Sequence, residues 1–427
     1  MRICTISYHC CPYSLMGKDG IGGMNVYLRE LCSTLSAFPD VELDVFTRCQ
    51  DKHLAEVKKL NPKLRIIHLS GGPQLPLERI FLYDFINDFS DNLLEFIQKE
   101  QKKYDLIFSH YWLSGLIGER IKQSISLPLV HVFHTLAFLK GRAFGLDGDH
   151  PCRLKAEEHL AMIADLIISS SSQEKRALID EYGIDPSQVQ VIFPGVNADR
   201  FLSEGCKYSG RFPENKEKEH VLLYVGRIEP IKGFDSLVEA INRLKQKNSS
   251  FYRRLKLLVI GGGTLNDLNR SPELKRIRNM IKKNSLDDKI IFLGSKKQDQ
   301  LPGYYSAADA LIVPSLYESF GLVVLEALAC GTPVLLSRIG QMRTIIEEGK
   351  NGFSFQAGSP RSIADMIEQF FKHKDNFWKS DKIREKVVQR FSWDKTASEV
   401  LAAFISLKVK PSGTTTIFQC DESPLPG

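Results

Sequence analysis

A chain of 427 residues is about three times the usual domain length, which favours two hydrophobic cores over one. With 43% hydrophobic and 25% charged residues it has the composition of a folded globular protein, not of a disordered, collagen-like or membrane-embedded chain. The 57 Lys and Arg against 51 Asp and Glu leave a net charge of +6 with little clustering, which suits an anionic small molecule at least as well as a nucleic acid.

The amino-terminal run carries a single arginine and no long apolar stretch, so neither a secretory leader nor a membrane anchor is expected there. No apolar run elsewhere reaches the roughly 18 residues of a spanning helix, and a cytoplasmic location is the expectation. Short runs rich in β-branched residues then alternate with amphipathic stretches: residues 2–8, 41–46, 64–69, 104–109, 128–133, 166–169 and 189–193 read as strands. Between the first two, Tyr27, Leu28, Leu31 and Leu35 repeat at helical spacing. This alternation predicts an α/β fold with a parallel, doubly wound sheet.

Glycine, proline and a charge run over 204–220 break the rhythm and read as an interdomain connection. A second series of strands follows at 221–225, 255–260, 289–293, 310–313, 333–336 and 353–355, with closing helices near 363–371, 381–388 and 393–407. The expected fold is two doubly wound Rossmann-like domains facing a central cleft. One covers 1–200, with helices at 393–408 packing back on it, the other covers 201–392, and 409–427 is an unstructured tail. The nine cysteines show no C-x-x-C pair and no paired zinc spacing, so free thiols and no metal site are expected.

Open α/β sheets bind ligands in the loops after their strands, which directs attention to three of them. After the first strand, Gly20-Ile21-Gly22-Gly23-Met24-Asn25 leads into a helix, where glycines let backbone N–H groups approach an anion. The spacing is not G-x-G-x-x-G, which disfavours a dinucleotide cofactor. After 221–225, Gly226-Arg227-Ile228-Glu229-Pro230-Ile231-Lys232-Gly233 pairs a guanidinium fork with a mobile ammonium, a set suited to a diphosphate. After 310–313 come Glu318 and Glu326, eight positions apart, around Phe320-Gly321-Leu322. A helix starting near Gly321 would offer its N–H groups to phosphate, while one carboxylate meets sugar hydroxyls and the other a ribose diol.

These residues resemble a known family. The run from Val313 to Val334, with Gly226-Arg227 and Lys232-Gly233, is similar to the donor-site signature of retaining family-4 glycosyltransferases of the two-domain GT-B fold. In the amino-terminal half Gly22-Gly23-Met24-Asn25, the segment Ser109 to Gly115 and the segment His131 to Ala137 resemble the subgroup containing the inositol-phosphate glycosyltransferases and the sucrose-phosphate synthases. The resemblance implies transfer of a hexosyl unit with retention from a nucleotide sugar, UDP-glucose or UDP-N-acetylglucosamine, to a small phosphorylated acceptor. An unphosphorylated or lipid-linked acceptor, and a non-catalytic sugar-nucleotide binder, stand as alternatives.

Carried over residue by residue, the resemblance implies His134 and Glu318 at the reacting sugar. It implies Gly22, Gly23, Arg227, Lys232, Lys296, Phe320, Gly321, Leu322 and Glu326 on the donor. It implies His9 and Asn25 where acceptor meets donor, with Arg79, Tyr111, Thr135 and Arg153 around the acceptor phosphate. Arg79 is a departure, since the inositol-phosphate enzymes carry a lysine there. Gly261-Gly262-Gly263 would pass near the nucleotide, and His110 reads as scaffold. The basic run 275–283 reads as a solvated helix face, not a membrane contact. No cofactor or metal is required on this reading, because cationic side chains and a helix start stabilise the leaving diphosphate, and the domains would close to exclude water.

Overall fold

The computed structural model describes residues 1–13, 22–145, 149–202, 219–247, 249–262, 271–407 and 417–420. Gly20, Gly263, most of the 204–220 connection and most of the 409–427 tail lie outside them. The chain divides into two compact units, one of Met1–Ser14, Gly20–Phe193 and Asp394–Gly427, the other of Leu15–Asp19 and Pro194–Trp393.

The first unit holds an eight-stranded sheet: β1 (Arg2–Ile6), β2 (Glu42–Arg48), β3 (Val57–Asn61), β4 (Leu64–Leu69), β5 (Leu106–His110), β6 (Leu129–Val132), β7 (Leu166–Ser169) and β8 (Val189–Val191). Their order is β3-β4-β2-β1-β5-β6-β7-β8, parallel except for the β3–β4 pair. β5 and β6 are buried along their whole length, as strands covered by helices on both faces must be. The helix Gly23–Leu35 buries Tyr27, Leu28, Leu31 and Leu35. β3 was not expected: its Lys58, Lys59, Leu60 and Asn61 are exposed and carry no apolar alternation, because an edge strand needs no second face.

The second unit holds β9 (His220–Val225), β10 (Leu255–Ile260), β11 (Ile290–Gly294), β12 (Ala310–Val313), β13 (Val334–Ser337) and β14 (Gly352–Phe355), all parallel in the order β11-β10-β9-β12-β13-β14. Both sheets are doubly wound, and each reverses its winding once: beside β1, between β1 and β5, and beside β9, between β9 and β12. At such a reversal the connections leave in opposite directions and a crevice opens at the carboxyl ends of the two strands. Among the described residues no helix is long and apolar enough to cross a membrane.

Two expectations need correcting. Cys152 and Cys420 form a disulfide, with Cα atoms 5.8 Å apart across 268 positions of sequence, so not all cysteines are free thiols. Nor is all of the tail unstructured: residues 417–420 are described, held by that bond and by the Phe418 ring 5.4 Å from His159. A bond between residues so far apart leaves no spacing signal in sequence.

Gly261 provides a test of how tightly the β9 and β10 loops pack. Its φ is +113°, and a Cβ there would collide with the Gly226 carbonyl oxygen, whereas Gly183, at φ +66°, has nothing within 4 Å. Gly183→Ala is expected to cost about 1 kcal/mol, the left-handed penalty alone. Gly261→Ala is expected to cost roughly 2 kcal/mol or more, read from urea unfolding.

Candidate functional site

In the first unit the crevice is marked by backbone strain. Among the described residues five non-glycines have positive φ: Gln101, Tyr111, Ser126, His134 and Ser285. Gln101 and Ser126 cap helix carboxyl ends, and Ser285 directly follows the helix Pro272–Lys283 and its cap, where the left-handed conformation is ordinary. Tyr111 (φ 75°), which precedes the helix Trp112–Ile125, and His134 (φ 61°) instead follow the adjacent strands β5 and β6, and neither sits at a helix carboxyl end. Strain of this kind costs about 1–3 kcal/mol per residue and concentrates at functional sites.

The two strained residues gather the expected amino-terminal set. The His9 ring, just past β1, packs 4.6 Å from Tyr111, and the Arg153 guanidinium lies 5.0 Å from the Tyr111 ring centre. Arg153 opens the helix Arg153–Ile163 and is buried. Its Nε donates to Glu157 at 2.7 Å, Nη1 to Asp149 at 2.9 Å, and Nη2 to both the carbonyl and the hydroxyl oxygen of Thr135 at 2.9 Å. Burial works against its charge, and Glu157 and Asp149 more than offset this, so its pKa is raised. Arg153 thus spends most of its donor fork inside the protein and holds Thr135 in place.

Asn25 behaves differently from the expected acceptor contact. It is buried, its Nδ2 donates to the Cys11 carbonyl at 3.1 Å and its Oδ1 accepts from Cys10 Sγ at 3.4 Å, so it braces the loop after β1. Gly22 precedes the helix that carries Asn25, and a Cβ built there meets nothing within 4 Å; Gly23 is exposed. Arg79 begins a 3-10 turn, Arg79–Phe85, and is exposed.

Four histidines are kept neutral here. Burial is the first cause in each: His134 is pushed down to about 3, His131 to about 3 with His134 adding to it, and His9 to about 3 with Arg79, His134 and Arg153 adding to it. His110 is lowered by burial and then by His134 and His131. His110 Nδ1 lies 3.0 Å from His134 Nε2, and the Tyr27 ring stands edge-on to His134 at 5.1 Å.

In the second unit the loops after β9 and β12 are locked together. Leu316 N–H donates to the Ile231 carbonyl at 2.9 Å, and Gly233, at φ +63°, lies so close to the Pro314 carbonyl that a Cβ would collide with it. That closeness brings Lys232 Nζ within 2.6 Å of Glu318 Oε2, with both side chains about one-fifth exposed (19% and 18%). Arg227 is exposed and pairs with Glu229 at 2.6 Å. Gly321 (φ 82°) caps the helix Leu322–Ala329, and Phe320 packs 6.1 Å from Phe391.

Glu326 lies inside that helix and is buried. Its Oε1 accepts from Gln298 Nε2 at 3.1 Å and its Oε2 from the Tyr305 hydroxyl at 2.8 Å, while Arg200 Nη1 donates to Gln298 Oε1 at 3.1 Å and so sets which way that amide faces. These bonds fix the orientation of the Glu326 carboxylate within the fold. Lys296 Nζ lies 6.0 Å from the Tyr304 ring. Gln298, Tyr305 and Arg200 were not anticipated, because they act through contacts between elements distant in sequence and carry no local pattern.

The histidine pKa shifts fix a sign for pH dependence. With folded values near 3 against about 6.5 unfolded, the unfolded chain takes up protons first as pH falls. The stabilisation is complete above about pH 6.5 and drains away as pH falls toward 3. The thermal midpoint of the first unit, followed by circular dichroism, should be level from pH 8 to 7 and fall below 6.5. His131→Gln should reduce the acid slope, and a midpoint independent of pH down to 5 would contradict the neutral cluster.

Residues 210–390 match the family described as Glycosyl transferases group 1, and residues 21–200 match the one described as Glycosyltransferase Family 4. A D-inositol 3-phosphate glycosyltransferase of Geodermatophilus obscurus is 34% identical over 407 residues, covering 94% of this chain and 89% of the relative. Another, from Streptosporangium roseum, is 33% identical over 405 residues, covering 93% and 92%. Among solved structures, sucrose-phosphate synthase from Thermosynechococcus elongatus is similar with a TM-score of 0.85 at 29% identity, covering 95% of this chain and 98% of that one.

Proposed function

This chain belongs to the family-4, group 1 glycosyltransferases of the GT-B fold, and from that premise we propose that it transfers a hexosyl unit, with retention, to a small phosphorylated acceptor. The donor on this reading is UDP-glucose or UDP-N-acetylglucosamine. The observation that carries it is the Lys232–Glu318 pair at 2.6 Å, at the point where the second sheet reverses. An ammonium for the diphosphate and a carboxylate for the sugar hydroxyls stand side by side there, next to the helix start at Gly321.

The bond from the anomeric carbon to the diphosphate oxygen breaks, and the acceptor oxygen forms its bond on the same face. The acceptor proton passes to the departing phosphate oxygen. Lys232, Arg227 and the N–H groups at the Leu322–Ala329 helix start stabilise the charge that develops, while Glu318 and Glu326 hold sugar and ribose. His134, neutral at working pH, orients the sugar. The space at Gly22 admits a phosphate close to the backbone.

The phosphorylated acceptor draws support from the relatives, whose names both specify a phosphate. With Arg153 held by Asp149 and Glu157, the exposed Arg79 supplies the attraction, and Thr135, whose oxygen accepts from Arg153, has its hydroxyl hydrogen to donate. The same neutralisation of Arg153 favours the second reading, an unphosphorylated or lipid-linked acceptor.

Release of free nucleotide from a panel of UDP- and GDP-sugars distinguishes the two. The acceptors are inositol 3-phosphate, fructose 6-phosphate, glucose 6-phosphate and their unphosphorylated forms. Turnover confined to phosphorylated acceptors is expected; indifference to the phosphate sinks the first reading. Lys232→Ala should lower kcat by about a hundredfold or more. Arg79→Ala should raise KM for a phosphorylated acceptor by roughly tenfold with little change in kcat. EDTA should leave turnover unchanged.

A further inference from the structure

His134 has two ring nitrogens, and the structure commits one of them. Its Nε2 lies 3.0 Å from His110 Nδ1, and Tyr27 stands edge-on to the ring, so Nδ1 is the nitrogen left to meet a ligand. Both imidazoles are neutral, so a single hydrogen lies between them and two assignments exist. Either His110 donates and His134 carries its own hydrogen on Nδ1, or His134 donates and its Nδ1 is a bare acceptor.

The other end of His110 decides between them. The residue has no exposed surface, and its Nε2 is buried without a hydrogen-bond partner among the described residues. Its ring packs against Phe108 at 4.1 Å and Tyr27 at 6.2 Å, side chains that bring no lone pair to its Nε2. If His134 donated, His110 would carry its hydrogen on Nε2 and bury an orphaned N–H. If His110 donates, only a lone pair is left unpaired, the lesser cost.

We infer that His110 is a positioning residue which, by donating from Nδ1 to His134 Nε2, fixes His134 in the tautomer that presents Nδ1–H to its ligand. This rests on the reading that His134 faces the donor sugar. His134 then gives a hydrogen bond to a sugar oxygen and has no lone pair with which to take the acceptor proton. General-base chemistry at this residue is thereby closed off, and the proton is left to the departing phosphate.

The test uses full-length protein labelled with ¹⁵N-histidine, whose imidazole nitrogen–proton correlations near neutral pH distinguish Nδ1–H from Nε2–H, with His134→Gln to assign the signal. His134 and His110 should both show the Nδ1–H form. His110→Asn keeps a donor at the Nδ1 position and should preserve the His134 tautomer. His110→Phe should let His134 shift toward Nε2–H and lower kcat by about tenfold to a hundredfold with KM for the acceptor unchanged. An Nε2–H form of His134 in the unaltered protein, or a His134 tautomer indifferent to His110→Phe, overturns the inference. The spectrum of the unaltered protein decides even if His110→Phe does not fold. Because that spectrum needs no turnover, the predicted tautomers without glycosyl transfer would sink the functional reading while leaving the His110-to-His134 hydrogen bond and the His134 tautomer standing.

Discussion

The meeting of loops at each candidate site depends on the single reversal of winding that each sheet makes. A parallel strand must return by a crossover, and crossovers that begin to run the other way cannot cover the strand ends where they part. In the first unit that places the ends of β1 and β5 beside one another, and with them His9 and Tyr111. In the second it places the ends of β9 and β12 beside one another, and Lys232 meets Glu318 although 86 positions separate them. Helix and strand formation supply the scaffold, while the reversal selects which loops become chemistry.

The two candidate sites use opposite electrostatics. Around His134 the protein removes charge: four imidazoles are held neutral by burial, and Arg153 is balanced by Asp149 and Glu157. Around Lys232 it keeps charge, partly exposed and paired at short range. On the proposed reading, that pair is where the incoming diphosphate would be met. The buried, hydrogen-bonded Glu326 is instead fixed before any ligand arrives, through Gln298 and Tyr305.

Where a feature is local, it is visible in sequence. The strands are short β-branched runs between breakers, and the helix after Gly321 begins where glycine and the apolar run Leu322-Val-Val-Leu indicate. Features made by distant parts of the chain leave no such trace. The polar edge strand Val57–Asn61 exists only because β4 offers it a backbone. The Arg153–Thr135 contact, the Arg200–Gln298–Glu326 chain and the His110–His134 contact each join residues from different elements, so residue type suggests a role while pairing decides it. Asn25 has the identity expected of a ligand contact and spends it on the backbone of Cys11.

The Cys152–Cys420 bond closes a ring of chain containing all of Pro194–Trp393. A protease that nicks the backbone anywhere between those cysteines therefore does not separate the fragments: they migrate together until a reductant is added. The second unit is held at both ends, by its peptide connection after Phe193 and by its return into the helix Trp393–Ile405. When it unfolds, its chain remains a tethered loop with fewer conformations to explore than a free one.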